Sequence, residues 1–256
     1  MAHITISGVS KVFQTARKTT LALRQTSIDI ADGEIVCIVG PSGCGKTTLL
    51  NLIAGFLEPT GGAIELDGRP VIGPSAERAV VFQSDAVFPW LTVRENVAFG
   101  PRVQGASATE RESRITRYLD LVGLTDFAQA YPKELSGGMR KRVDLARAYA
   151  SGPDVLLLDE PFGALDLFTK ETMWLALKRV TDVEPKTIVF VTHDIEEALF
   201  LGDRVVVMTP RPARVHSIVD VPFGPRRELD LRADLEFQRM RTAIAHTLRE
   251  VHDDAA

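Results

Sequence analysis

"EIVCIVGPSGCGKTTLLNLIAGFL", Glu34 to Leu57, passes from an unbroken apolar run through a glycine-rich loop into a second apolar run. Its centre, Gly40 to Thr47, matches G-x-x-x-x-G-K-[ST] in full. Glycines let backbone N–H groups close around phosphate oxygens, and the N-terminus of a following helix adds partial positive charge. In this reading Lys46 reaches the β- and γ-phosphates, the Thr47 hydroxyl ligates Mg²⁺ and Thr48 adds a phosphate contact. A bare strand-to-helix turn would need the glycines but not the Lys-Thr pair. Gly40, Pro41, Ser42, Gly43, Cys44, Gly45, Lys46 and Thr47 therefore read as a phosphate cradle. Cys44 is taken as a small residue presenting its N–H, not as a nucleophile.

Two more apolar runs end in chemistry. "VLLLDE", Val155 to Glu160, closes on two carboxylates, and "TIVFVTHD", Thr187 to Asp194, closes on a histidine. Continuous apolar strands point to a parallel sheet covered on both faces. Ligands of such sheets bind at the carboxyl ends of the strands, where all three runs deliver their polar residues. Beside a phosphate loop, Asp159 suits the Mg²⁺ shell, and Glu160 suits orienting or deprotonating an attacking water. His193 is either structural or a γ-phosphate contact. Gln83, ending "AVVFQ", is either a polar strand end or a ligand of Mg²⁺ or the attacking water. Phe13 is either core or an adenine-stacking ring. "LSGG", Leu135 to Gly138, exposes a helix N-terminus, which reads as a plain serine cap or as a second anion site shared with another copy of the chain.

Further strands are expected in "HITISGV", "TSIDI", "GAIELDG", "AVVFQ" and "RVVVMTP", with an antiparallel layer near the N-terminus. From Gln83 to Pro153 the pattern turns helical. "TVRE" at Thr92 and "SATE" at Ser107 are capping boxes, and Gly123 is placed to close the second helix. Residues 4–235 are read as one nucleotide-binding unit with a helical insertion at about 84–152, and residues 236–256 as a C-terminal helical tail. In "LRADLEFQRMRTAIAHTLREV", Leu231 to Val251, the residues Leu235, Met240, Ile244, Leu248 and Val251 recur at helical spacing, the pattern of a docked amphipathic helix.

The 256 residues are 45% hydrophobic and 25% charged, an ordinary globular composition. A net charge of −4 gives no case for nucleic acid as a partner. The two cysteines, Cys37 and Cys44, form no disulfide framework or zinc spacing. The N-terminus lacks the build of a signal peptide, and no apolar run nears the roughly 18 residues of a membrane span. A cytoplasmic protein is expected.

The phosphate loop, Gln83, "LSGG", "VLLLDE", "FGALD" (Phe162 to Asp166) and His193, in that order, resemble the ATP-binding subunit of ABC transporters. The resemblance covers nearly the whole chain before the tail. It implies an α/β fold: a P-loop NTPase core with a mixed, mainly parallel sheet, an N-terminal antiparallel β-layer and an inserted α-helical subdomain. It further implies a head-to-tail dimer that sandwiches two ATP molecules with Mg²⁺. Each ATP would lie between one subunit's phosphate loop and the other's Ser136, Gly137 and Gly138. Asp166 would sit at the interface, Phe13 would stack on adenine, and Glu160, His193, Lys46 and Gln83 would form the catalytic set.

"GPSAERAVVFQSDAVFPWLTVRENVAFG", "DEPFGALDLFTK" and "THDIEEALF" resemble the nitrate, sulfonate and taurine importer branch. That branch implies a membrane permease seated beyond Gln83, a substrate-binding protein acting through the permease, and a peripheral place on the inner membrane face. Two departures stand out. Where the family has glutamines after "LSGG", this chain has Met139 and Lys141. Met139 falls in register with Val143, Ala146 and Ala150, a buried stripe, and a thioether does not reproduce an amide's hydrogen bonds. Two competing functions remain. A non-transport ABC ATPase acting on nucleic acid or the ribosome would commonly carry two such units or a long insertion, and a P-loop kinase or GTPase has no use for "LSGG".

Overall fold

The structure, a computed structural model, describes residues 2–16 and 18–253. In chain order the elements are β1 (Ile4–Gln14), β2 (Thr19–Ile30), β3 (Ile35–Val39), α1 (Lys46–Ala54), β4 (Gly61–Leu66), β5 (Arg69–Pro70) and β6 (Arg78–Val81). Then come α2 (Val93–Val103), α3 (Ala108–Leu121), α4 (Gly137–Ala150), β7 (Val155–Asp159), α5 (Leu167–Val183) and β8 (Thr187–Val191). The chain closes with α6 (Ile195–Leu201), β9 (Arg204–Met208), β10 (Val215–Asp220) and α7 (Leu235–Asp253).

The continuous apolar runs do make a two-sided sheet. Six strands run in the order β10-β9-β3-β8-β7-β6. All neighbours are parallel except the edge pair β10 and β9. Alternation along each strand sends successive side chains to opposite faces. Cys37, Val39, Leu156, Leu158, Phe190 and Val207 enter a core shared with α2 to α7. Val36, Ile38, Val155, Leu157, Val189 and Val206 enter a second core with α1 and the four-stranded antiparallel sheet β2-β1-β4-β5. Every side chain of β3 and β8 is buried, which is why neither alternates in sequence. Each full-size aliphatic so buried contributes about 1.5–3 kcal/mol.

β1 and β2 run well beyond "HITISGV" and "TSIDI", and β6 ends at Val81, leaving Gln83 in the loop after it. β5 and β10, short or half-exposed, carry no comparable apolar signal. Both capping boxes form. Thr92 Oγ1 accepts from Glu95 N at 3.2 Å and Glu95 Oε2 accepts from Thr92 N at 2.8 Å. Ser107 and Glu110 exchange the same pair of bonds at 3.2 and 2.9 Å. Gly123, with φ 65°, follows α3 and donates to the Asp120 carbonyl at 3.0 Å, a left-handed helix end of the kind glycine permits. In α7 the buried side chains are Phe237, Ile244 and Val251, with Met240 and Leu248 packed alongside. Leu235 corrects the expected stripe: it is 64% exposed at the first turn, and Phe237 makes the contact assigned to it. Residues 254–256 of the tail lie outside the described residues.

Candidate active site

β3, β7 and β8 are adjacent in the sheet, so the loops at their carboxyl ends meet. The phosphate loop leaves β3 at Gly40 and enters α1, whose cap, Gly45, supplies no side-chain hydrogen bond to the first turn. Gly45 has φ 133°, and a β-carbon there would stand 3.1 Å from Leu23 Cδ2. The positive φ calls for glycine, and a side chain there would also have to push Leu23 aside. Gly43 has φ 71°, and its carbonyl accepts from Arg211 Nη2 at 2.6 Å, an anchor from the loop between β9 and β10. Lys46, only 5% exposed, bends back over the loop and donates to the Gly40 and Pro41 carbonyls at 2.9 and 3.2 Å.

At the end of β7 the two acids part as strand geometry demands. Asp159 Oδ1 accepts from Thr47 Oγ1 at 3.0 Å. Burial pushes the Asp159 carboxyl above the usual aspartate range; the Thr47 bond and the Lys46 charge oppose that rise, and the Glu160 charge adds to it. Glu160 turns the other way. Its backbone has φ 44°, a left-handed conformation costly for a glutamate, held by its N–H donating to Val191 O at 2.9 Å. Glu160 Oε1 stands 4.0 Å from Lys46 Nζ, and Glu160 Oε2 lies 3.0 Å from His193 Nδ1. One edge of the sheet thus gathers a buried ammonium, two carboxylates, a hydroxyl and a half-exposed imidazole. His193 reaches the carboxylate of its own chain, a contact that placement at a strand end did not specify.

Cys44 is buried, and desolvation pushes its thiol up. Its N–H donates to the Pro41 carbonyl at 3.2 Å, tightening the loop. Thr48, in the first turn of α1, is partly buried. Phe13 is half-exposed on β1, with Lys11 Nζ 5.4 Å from its ring centroid, so it is not core.

The structure does not bring Ser136, Gly137, Gly138, Asp166 or Gln83 into contact with this group. Ser136 caps α4, its hydroxyl accepting from Met139 N at 3.3 Å, and remains exposed. Asp166 caps α5, and its bonds from the Thr169 hydroxyl and N–H hold its carboxyl below the usual range. Gly138 is buried against Thr169. Gln83 is exposed, and its backbone carbonyl accepts from Lys141. Met139 is partly buried against the helical core, while Val143, Ala146 and Ala150 are fully within it. Sequence reasoning missed Arg211, Thr169 and the contacts of Lys141; none has a motif, since each acts on backbone or on a capping residue distant in the chain.

A glycine loop between strand and helix, ending in Lys-Thr opposite a strand-end Asp-Glu pair, defines a phosphate-loop nucleotide hydrolase. Residues 23–163 match the ABC transporter family, and the chain belongs to it. It is 49% identical over 234 residues to the taurine import ATP-binding protein TauB of Jannaschia sp. (strain CCS1), covering 91% of this chain and 87% of the relative. It is 50% identical over 253 residues to the nitrate import ATP-binding protein NrtD of Synechocystis sp., covering 96% of this chain and 95% of that one. A dimeric ATP-binding cassette solved in a post-hydrolysis state with ADP and Pi is 32% identical, with TM-score 0.74, covering 86% of this chain and all of its own. The chain is an ABC ATPase with the fold expected from its sequence. Among the described residues no helix is long and apolar enough to cross a membrane.

Proposed function

We propose that this chain hydrolyses ATP to drive import of a small compound of the taurine, sulfonate or nitrate class. It would work as a head-to-tail dimer docked on the inner face of a membrane permease, with a substrate-binding protein delivering the cargo to that permease. The names of the relatives support the import reading over a non-transport ATPase. Residues 4–235 would form the nucleotide-binding unit, with its helical part at about 84–152 and a tail from 236. The observation that carries the proposal is the convergence of Lys46, Glu160 and His193 beside the Thr47–Asp159 pair.

Phosphoryl transfer to water needs little covalent help; positioning and charge stabilisation do most of the work. The N–H groups at the start of α1 and the Lys46 ammonium would hold the β- and γ-phosphates, with Phe13 stacked on adenine. Thr47 and Asp159 form a hydroxyl–carboxylate donor pair that fits a hard cation taking its other ligands from phosphate and water. Mg²⁺ bound there would supply charge neutralisation for the phosphate oxygens. Glu160 would orient and deprotonate the attacking water, with His193 holding its second oxygen. Ser136, Gly137 and Gly138, at a helix N-terminus whose serine is exposed, would complete the site of a second copy, and Gln83 would reach the cation or water. The departure at Met139 leaves those backbone donors intact.

Glu160→Gln tests the assignment. The variant should bind MgATP yet turn it over at least about 100-fold more slowly. It should also elute as a dimer only with ATP. Parental turnover would remove Glu160 from the role, and a monomer at saturating ATP would remove the composite site.

A further inference from the structure

Of the two family departures on α4, Lys141 enters the structure in a way the sequence did not announce. It is 5% exposed, yet charged. Its Nζ donates to the Gln83 carbonyl at 2.8 Å and to the Phe82 carbonyl at 3.0 Å. The same ammonium stands 3.5 Å from Asp85 Oδ1 and 3.9 Å from Asp144 Oδ2. Neighbours on α4 hold the rest of the loop. Arg140 Nε donates to Asp85 Oδ2 at 2.7 Å, Ala86 N donates to Asp144 Oδ2 at 3.1 Å, and Arg147 Nη1 donates to the Ala86 carbonyl at 2.5 Å. Residues 82–86 are thus gripped from one helix at both ends, with Lys141 at the Gln83 end.

A compact ammonium suits this place. It has three donors and no acceptor, so it faces two carbonyls and two carboxylates with nothing mismatched. An amide there would turn its own oxygen toward acceptors. In a buried setting such bonds are strengthened, and their loss leaves backbone carbonyls without partners.

We propose that Lys141 is a positioning residue for ATP hydrolysis. It fixes the Gln83 backbone to the helix that begins at Ser136-Gly137-Gly138. The amide that serves one nucleotide and the helix N-terminus offered to a second copy therefore move as one body. The proposal rests on the role given to Gln83 above. It predicts that removing the ammonium loosens residues 82–86 and slows the chemical step while leaving nucleotide binding, built on α1 and β1, in place.

The test is hydrogen-exchange mass spectrometry of the full chain together with steady-state ATPase kinetics. Lys141→Met keeps the aliphatic stem, and Arg140 and Arg147 still neutralise Asp85 and Asp144. Amides 82–86 should exchange about tenfold faster, with α1 and α4 unchanged. The kcat should fall by about tenfold or more, as expected for a misplaced catalytic group. The KM for MgATP should stay within about twofold. Lys141→Arg should restore both protection and kcat. Unchanged protection at 82–86, or a raised KM at parental kcat, would overturn the proposal. If Lys141→Met loses protection throughout the chain, the same two readouts on Lys141→Gln decide by the same criteria. Gln83→Ala separates the underlying reading: parental kcat in that variant removes Gln83 from the site, while the exchange result still judges the anchor.

Discussion

Gly138 shows how one atom can fix a residue's identity. A β-carbon there would lie 2.4 Å from Thr169 Cγ2. Thr169 does not swing aside freely, because its hydroxyl donates to Asp166 Oδ2 at 2.6 Å and its N–H donates to Asp166 Oδ1 at 3.1 Å. Gly138→Ala should therefore destabilise the chain by about 1–3 kcal/mol, despite alanine's better helix propensity. Adding Thr169→Ser, which deletes only the methyl, should return most of the loss in urea unfolding. Additive effects of the two changes would refute the clash. Met139 is less constrained. It lies partly buried at the margin of the core, so Met139→Gln should keep the unfolding midpoint nearly unchanged and alter ATPase rate modestly; complete loss of activity would contradict its packing role. The sequence revealed that Ser136, Gly137 and Gly138 open a helix. The partner of Gly138 was hidden, since a threonine three residues past a capping aspartate reads only as part of that cap.

Among elements, the β8–α6 junction carries a buried polar network behind His193. Glu197 on α6 accepts from Trp174 Nε1 at 2.9 Å and from the Thr192 hydroxyl, while Asp194 caps the helix. Burial pushes the Glu197 carboxyl above the usual range, against the lowering effect of those two donors. A raised folded pKa means that the folded chain holds this proton more tightly than the unfolded chain. The stability it contributes is full below the unfolded value of about 4.3 and is lost as pH rises through the folded value. Glu197→Gln should remove that loss. Across about pH 4 to 7, its unfolding free energy should gain on the parent as pH rises. A constant offset between the two curves would show that Glu197 does not titrate there. Elements with strong local signals were legible: both capping boxes, the Gly123 stop and the all-apolar strands. β10 was not, because its exposed and half-buried residues carry little apolar signal.

At the scale of the whole molecule, the sequence pointed to the candidate site residues but not to the distances that join them. Lys46, Thr47, Asp159, Glu160 and His193 each follow a recognisable strand, and parallel pairing brings them together. The Glu160–His193 contact required the left-handed turn at Glu160, which no local pattern signals. Arg211 and Lys141 act through backbone carbonyls, which one-letter patterns do not show.

The position of β3 in the sheet has a consequence in time. Its two neighbours are β8 and β9, both in the last third of the chain. During synthesis the phosphate loop and its wholly apolar strand emerge early, yet neither flanking strand exists until the ribosome has passed Thr187 and then Arg204. At cellular elongation rates that interval is on the order of 10 s. The nascent chain must carry its most hydrophobic strand unpaired for that long, so the part of the protein most easily read from sequence is among the last to find its place.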